Sequence, residues 1–280
     1  MENNFLREFI LRSLAEDLGD GDHSSLACIP AEKKGKAKLL IKENGVIAGI
    51  RVAEELFLTI DKDLKFDLIL EDGTNVVPGD IAFYLSGYQR SILKSERLVL
   101  NIMQRMSGIA TSTNEYVRLL TGLKTKILDT RKTTPGLRFL EKEAVRIGGG
   151  MNHRMGLFDM IMLKDNHIDY AGGISKAIHK TREYLMKNNL NLMVEIEARN
   201  LEDVKTILST GGIDRIMLDN FNIQDTQSAV RMIAGKYETE SSGGITLATV
   251  RSYAECGVDF ISVGALTHHI KSLDMSLKAM

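Results

Sequence analysis

Apolar positions near the start of the chain recur at helical intervals. Phe5, Leu6, Phe9, Ile10, Leu14 and Leu18 share one stripe, which predicts a helix over residues 4–18, and Gly-Asp-Gly-Asp at 19–22 ends it. From Gly35 to Ser91 the period shortens. The runs AKLLI, GVIAGI, FDLIL and IAFYL are broken by Glu-Asn-Gly, Glu-Asp-Gly and Pro-Gly-Asp, which are strand and turn signals. A helical pattern at 53–58 sits among them, so this region predicts a small α+β unit. A long helix follows over about 92–120, with apolar Leu93, Leu98, Leu100, Ile102, Met103 and Met106. Gln104-Arg105-Met106-Ser107-Gly108 interrupts that apolar face with a charge.

Beyond Leu120 the rhythm changes again. Six strand-like runs appear (KILD, FDMIML, LMVEIE, DRIMLD, ETESSGG and DFISVG), each ending in a charged or glycine-rich tip. Helical patterns at 174–186, 201–208, 226–233 and 247–256 alternate with them. Strand-helix alternation predicts parallel strands in a barrel or an open sheet, and six clear strands fall short of eight. No linker or low-complexity segment separates the two regions.

Charge sharpens this picture. The chain has 280 residues, with 36 Lys+Arg against 37 Asp+Glu and a net charge of -1. That balance argues against a broad basic surface for nucleic acid. Locally it is very different: residues 129–168 carry Arg131, Lys132, Arg138, Lys142, Arg146, His153, Arg154 and Lys164, interleaved with short apolar runs and Gly148-Gly149-Gly150. Cations at strand ends beside flexible backbone predict a pocket for a small, densely anionic ligand. Cys28 and Cys256 offer neither a disulfide framework nor a metal-ligand spacing. No basic region followed by an apolar leader opens the chain, and no run approaches 18 apolar residues, so the expected setting is cytoplasmic, away from membranes.

In a β/α barrel the reactive groups stand at the C-terminal ends of the strands. The first tip supplies Arg131 and Lys132, the second Lys164. The third supplies Glu195 and Glu197, which share a face because they are two apart. The fourth supplies Asp219, the fifth Ser242-Gly243-Gly244 before a helix from Leu247, and the last Gly264-Ala265. The two glycine turns can present backbone N–H groups to phosphate. Glu197 and Asp219 suit Mg²⁺, and equally suit charge balance with Lys164 and the arginines. His153-Arg154 in a basic loop suits a carboxylate. Lys132 or Lys164 could also serve a Schiff-base aldolase.

These residues fall in segments that resemble the quinolinate phosphoribosyltransferase family of type II phosphoribosyltransferases. The matching segments are EDLGDGDHSSLACIP, ERLVLNIMQRMSGIAT, TRKTTPGLR, GGGMNHRMGLFDMIMLKDNHI, VEIEA, IMLDN, SGGIT and SVGALTH, spread over residues 16–268. The resemblance implies an α/β fold: an N-terminal α+β sandwich domain over 1–110, joined by a C-terminal helix at 266–280, and an incomplete, TIM-like β/α barrel of six or seven strands over 111–265. It implies transfer of phosphoribosyl from phosphoribosyl pyrophosphate to quinolinate with loss of CO₂, giving nicotinate mononucleotide. Arg105, Arg131, His153, Arg154 and Lys164 are then expected to bind quinolinate. Lys132, Lys164, Ser242, Gly243, Gly244, Gly264 and Ala265 are expected to bind phosphate. Lys132, Glu197 and Asp219 take the catalytic roles, with Mg²⁺ at Glu197 and Asp219. A two-fold homodimer is also implied, with Arg105 supplied to the partner's site.

Overall fold

The computed structural model describes residues 2–280, which divide into two compact units. One comprises the chain up to Ser112 together with Ile270–Met280, and the other is Thr113–His269.

In the first unit, helix α1 (Glu2–Leu18) buries Ile10 and Leu14. The Gly19–Asp22 turn follows, and Asp22 Oδ1 caps α2 (His23–Cys28) by accepting from the Ser25 amide at 3.1 Å. Strands β1 (Lys34–Ile41), β3 (Lys65–Leu68) and β5 (Ile81–Tyr88) pair antiparallel, with β5 in the middle of the three. A two-residue ladder joins β2 (Gly45–Val46) to β4 (Asn75–Val76). Helix α3 (Ile50–Ile60) packs on one face of the larger sheet, where Phe57 meets Phe83 and Phe66 with ring centroids 5.7 and 6.0 Å away. The strands alternate accordingly: in β1, Ala37, Leu39 and Ile41 are buried while Lys34 and Lys36 face out. Helix α4 (Gln89–Leu119) runs on from β5.

The polar break in α4 has a structural use. Ser107 Oγ accepts from the Ala48 amide at 2.9 Å. The Gln104 carbonyl accepts from the Leu273 amide at 3.0 Å, and the Gln104 side chain donates to Met275 O at 3.1 Å. Any Cβ at Gly108 would strike the Lys271 carbonyl. These positions hold the chain where residues 270–280 return to the first unit.

That returning segment corrects the expected helix at 266–280. Only three residues there are helical, and Met275–Ala279 is a strand that pairs antiparallel with β1, making the sheet four-stranded. Its pattern has period two: Met275 and Leu277 are buried and Ser276 and Lys278 are not.

The second unit is a six-stranded parallel sheet. It comprises β6 (Lys126–Leu128), β7 (Ile161–Leu163), β8 (Val194–Ala198), β9 (Arg215–Asp219), β10 (Glu238–Ser242) and β11 (Phe260–Ser262), in the order β6-β11-β10-β9-β8-β7. The first and last of these strands are therefore neighbours, as in a barrel, and the ring is open between the first and second. A single parallel bridge from Leu128 to Met151 lies at that gap. The helices are α5 (Arg138–Ile147), α6 (Asp165–Ala171), α7 (Ile174–Lys187), α8 (Leu201–Thr210), α9 (Ile223–Ile233), α10 (Val250–Glu255) and α11 (Ala265–His268). The strand named β12 in chain order is Met275–Ala279.

Two sequence readings shift here. The FDMIML strand begins only at Ile161. Leu157 and Phe158 before it are exposed in a turn held by Asp159, whose carboxylate accepts from the Met155 and Gly156 amides. Helix α10 starts at Val250, because Thr246 and Thr249 first close a turn of their own.

Candidate active site

The strand tips of the second unit open on a cleft of about 720 Å³. Its lining comes wholly from that unit. It includes Arg131 and Lys132 after β6, His153 and Arg154 at the open seam, Lys164 after β7, Glu197 on β8 and Asp219 on β9. Ser242, Gly243 and Gly244 after β10 and Gly264 and Ala265 after β11 complete the set expected from sequence. Arg105 belongs to the first unit, on α4.

The cations are concentrated around β6 and the seam. Arg131 Nε is buried and has no hydrogen-bond partner, a donor left for a ligand. Arg154 donates to the Met160 carbonyl at 3.2 Å, and burial together with the nearby Arg131 charge lowers its pKa. Lys132 is exposed at the end of its side chain, while its carbonyl accepts from Thr267 Oγ1 at 2.8 Å.

His153 departs from expectation. Its Nε2 lies 3.0 Å from Glu195 and 3.4 Å from Glu240, and its Nδ1 accepts from the Arg154 amide at 2.7 Å. Both ring nitrogens have partners inside the chain, so the ring has no N–H to offer a ligand carboxylate in this arrangement. Burial opposes charge on the ring, yet the hydrogen bonds to Glu195 and Glu240 would raise it to about 9. An amide aimed at Nδ1 requires a lone pair there, however, which a charged imidazole lacks. We therefore place the shared proton on the carboxylates: burial and repulsion by Glu240 push Glu195 up to about 7.

Glu195 is likewise not a strand-tip residue. It shares a face with Glu197 but lies one layer deeper, fully buried and opposite Arg215 in the β8–β9 ladder. Arg215 reaches Glu240 at 3.2 Å and Glu238 at 2.9 Å, and its guanidinium lies 4.1 Å from the Phe260 ring centroid. The sheet interior is thus a layer of paired charges where aliphatic residues are usual. His153, Glu195 and Glu240 also lie close enough together to hold a metal ion, but Arg215 already supplies a positive partner.

On β7 and β8, Lys164 Nζ meets Glu197 Oε1 at 2.5 Å, and Glu197 Oε2 accepts from the Asp165 amide at 3.1 Å. Both oxygens of Glu197 are occupied, which fits charge balance better than metal ligation. Asp219 accepts from Asn220 at 2.8 Å, and burial plus the Glu197 charge raises its pKa. A cation beside Asp219 would relieve that repulsion.

The glycine turn after β10 is built from Gly243 and Gly244 at φ +102° and +60°. A Cβ on Gly243 would collide with the Asn220 side chain, so glycine is needed there for space as well as for φ. Asn220 itself has φ +57°, a conformation asparagine tolerates. A Cβ on Gly264 would press on Lys132 Cδ at 3.3 Å and on the His268 ring at 2.9 Å. His268, Asn220, Met162 and Met217 line the cleft although nothing in the strand-tip pattern singled them out. Met162 and Met217 could have been found by register, since they point to the same face as Glu195 and Glu197.

Comparison with known proteins places the chain in a family. The model for the N-terminal domain of quinolinate phosphoribosyl transferase matches residues 22–107, and that for its C-terminal domain matches residues 109–278. The chain is 45% identical to quinolinate phosphoribosyltransferase [decarboxylating] 1b of Nicotiana tabacum, covering 98% of this chain and 82% of that one. It is 41% identical to a probable nicotinate-nucleotide pyrophosphorylase [carboxylating] of Synechocystis, over 95% of this chain and 89% of the other. Among solved structures it superposes on NadC from Streptococcus pyogenes with a TM-score of 0.92 at 39% identity, covering 98% of this chain and 96% of that one. For the nicotinate-nucleotide pyrophosphorylase from Francisella tularensis the TM-score is 0.93 at 40% identity, covering 99% and 97%. With both domain models matched in order and the cationic cleft between its glycine turns in place, the chain belongs to the quinolinate phosphoribosyltransferase family.

Proposed function

We propose that this chain transfers phosphoribosyl from phosphoribosyl pyrophosphate to quinolinate, releasing pyrophosphate and CO₂ and leaving nicotinate mononucleotide. The observation that carries this reading is the buried, partnerless Nε of Arg131 beside Arg154, in one cleft with Lys132 and two glycine turns. Two guanidiniums suit the two adjacent carboxylates of quinolinate. Lys132 and the N–H groups of the turns after β10 and β11 suit phosphate oxygens.

In the reaction, the pyridine nitrogen attacks C1 of the ribose as the bond to pyrophosphate breaks. Lys132 offsets charge growing on the leaving group. Asp219 faces the positive charge that develops on the ribose, and Glu197 orients Lys164 through their salt bridge. The ribosylated ring nitrogen then withdraws the electron pair left by departing CO₂, and the ring carbon takes up a proton. No side chain is required as a base in that step. Mg²⁺, when bound, would neutralise pyrophosphate oxygens, with Asp219 the protein ligand that fits it best.

A Schiff-base reading is disfavoured, since Lys164 is held by Glu197 and the comparisons favour the transferase. A homodimer with Arg105 supplied across the interface would add a third cation to the acid site; its place on α4, outside the unit that forms the cleft, supports this. The cytoplasm is the compartment we infer: among the described residues no helix is long and apolar enough to cross a membrane, and both cysteines are free. The deciding experiment is ¹⁴CO₂ release from carboxyl-labelled quinolinate with phosphoribosyl pyrophosphate, with and without Mg²⁺. Release that depends on both substrates is expected. Absence of release with the folded protein would defeat this reading.

A further inference from the structure

Placing two guanidiniums side by side costs Coulomb energy that a ligand repays only after it arrives. Something in the fold must hold them there beforehand. Arg131 follows β6 and Arg154 stands at the open seam, where only one bridge, Leu128 to Met151, joins the two segments as a ladder. Helix α5 lies between them in sequence and faces both.

We infer that α5 is a bracket for the acid end of the cleft, in which Arg138 and Lys142, one turn apart on the same face, are positioning residues that fix Arg131 beside Arg154. The inference deepens the proposed function, because it takes the ligand of those two arginines to be the acid substrate.

Lys142 makes the inner tie. It is buried at 1% exposure and bonded to Asp129, which is fully buried at the end of β6. Lys142 Nζ also donates to the His153 carbonyl at 3.0 Å. Asp129 in turn accepts from the His153 amide at 2.8 Å and from Asn152 Nδ2 at 2.5 Å, and Asn152 donates back to the Lys142 carbonyl at 2.8 Å. The main chain of His153, immediately before Arg154, is therefore gripped at both its N–H and its C=O. Arg138 makes the outer tie with one planar fork. Its Nε donates to Thr133 Oγ1 at 2.9 Å, one terminal nitrogen to the Arg131 carbonyl at 3.4 Å, and the other to the Met155 carbonyl at 3.1 Å. Three residues on both sides of the gap are joined by one side chain, a task that uses the spread of guanidinium donors.

The phosphate side depends on the bracket less, for although Lys132 lies between Arg131 and Thr133, both held by Arg138, it has ties of its own. Lys132 is anchored across the β6–β11 edge by Thr267 Oγ1 on its carbonyl, and Thr130 Oγ1 accepts from its amide at 3.1 Å. The turn after β10 rests on Asn220. Loss of the bracket should therefore weaken the acid site much more than the other.

The test compares Arg138→Ala and Arg138→Lys with the wild-type enzyme in full steady-state kinetics, with quinolinate binding read in parallel by titration calorimetry. Arg138 is only half-buried, so both variants should fold, which thermal melting checks. The expected result is a rise of about 10-fold or more in the KM for quinolinate in both variants, with the KM for phosphoribosyl pyrophosphate within about twofold of wild type. Lysine keeps the charge but not the fork, so rescue by Arg138→Lys would overturn the bracket in favour of simple electrostatics. An unchanged quinolinate KM, or an equal rise in both KM values, would also overturn it. The double variant Asp129→Asn/Lys142→Met removes the inner tie without stranding a charge and should show the same acid-selective loss; if it fails to fold, the Arg138 pair still decides. A wild type that binds quinolinate without turnover would refute the proposed reaction while leaving the bracket to be read from binding. A wild type that turns over, with Arg138→Ala indistinguishable from it, would refute the bracket alone.

Discussion

Arg215→Met tests the charged interior of the barrel directly. Methionine keeps most of the apolar stem but removes the guanidinium that lies over the Phe260 ring. Glu240, at 0% exposure, then loses its 3.2 Å partner, and Glu195 loses the cation opposite it in the ladder. Removing one partner of a buried pair strands the other, which costs about 3–5 kcal/mol. The contact to Glu238 adds little, because that carboxylate is 45% exposed and screened by water. For a unit of this size 1 kcal/mol moves the melting temperature by about 2–4 °C, so a fall of about 6–20 °C is expected. Differential scanning calorimetry reads it, and Arg215→Met/Glu240→Leu, with both charges removed, should recover more than half of the loss. A single variant melting within about 3 °C of wild type would refute the claim that this pairing stabilises the barrel.

Further outcomes follow from the same geometry. Because burial lifts Glu195 to about 7 from an ordinary value of 4.5, the folded chain holds a proton that the unfolded chain releases; its contribution to stability is present below the unfolded value and is lost as pH rises through about 7, and Glu195→Gln should flatten melting temperature against pH over that window. Gly243→Ala should cut turnover by about 100-fold, since it forces both φ and the Asn220 contact, while melting shifts by only a few degrees; near-normal activity would remove that turn from the phosphate site. Arg105→Ala and Lys132→Ala should each be nearly inactive, yet equal amounts refolded together should return roughly a quarter of wild-type activity if the site is shared across a two-fold interface. No recovery in mixed dimers confirmed by mass would place Arg105 in its own chain's site.

Much of this was legible from sequence because strand tips announce themselves. Charges and glycines at the ends of short apolar runs map directly onto a barrel mouth, and of the thirteen residues expected there from the second unit all but Glu195 line the cleft. What remained hidden depends on contacts that periodicity does not encode. Helix α5 reads as part of a basic stretch because Lys142 finds its partner in Asp129, just after β6 and across the cleft-forming loop. Glu195 reads as a tip residue because two-residue spacing gives the face but not the depth. His153 reads as a ligand for carboxylate because nothing nearby in sequence reveals that Glu195 and Glu240 already hold it. The strand at 275–279 shows a clear alternation, but it is too short to outweigh the expectation of a helix.

The strand pairings also set an order for folding. The first strand of each sheet waits for a partner from the far end of the chain: β6 pairs with β11, and β1 pairs with β12. Neither sheet can close until residues 260–279 have left the ribosome, so both units should emerge as half-built, edge-exposed intermediates that are completed almost together. During that interval the open edges of β1 and β6 are the surfaces on which a chaperone, or a wrong strand, would act first.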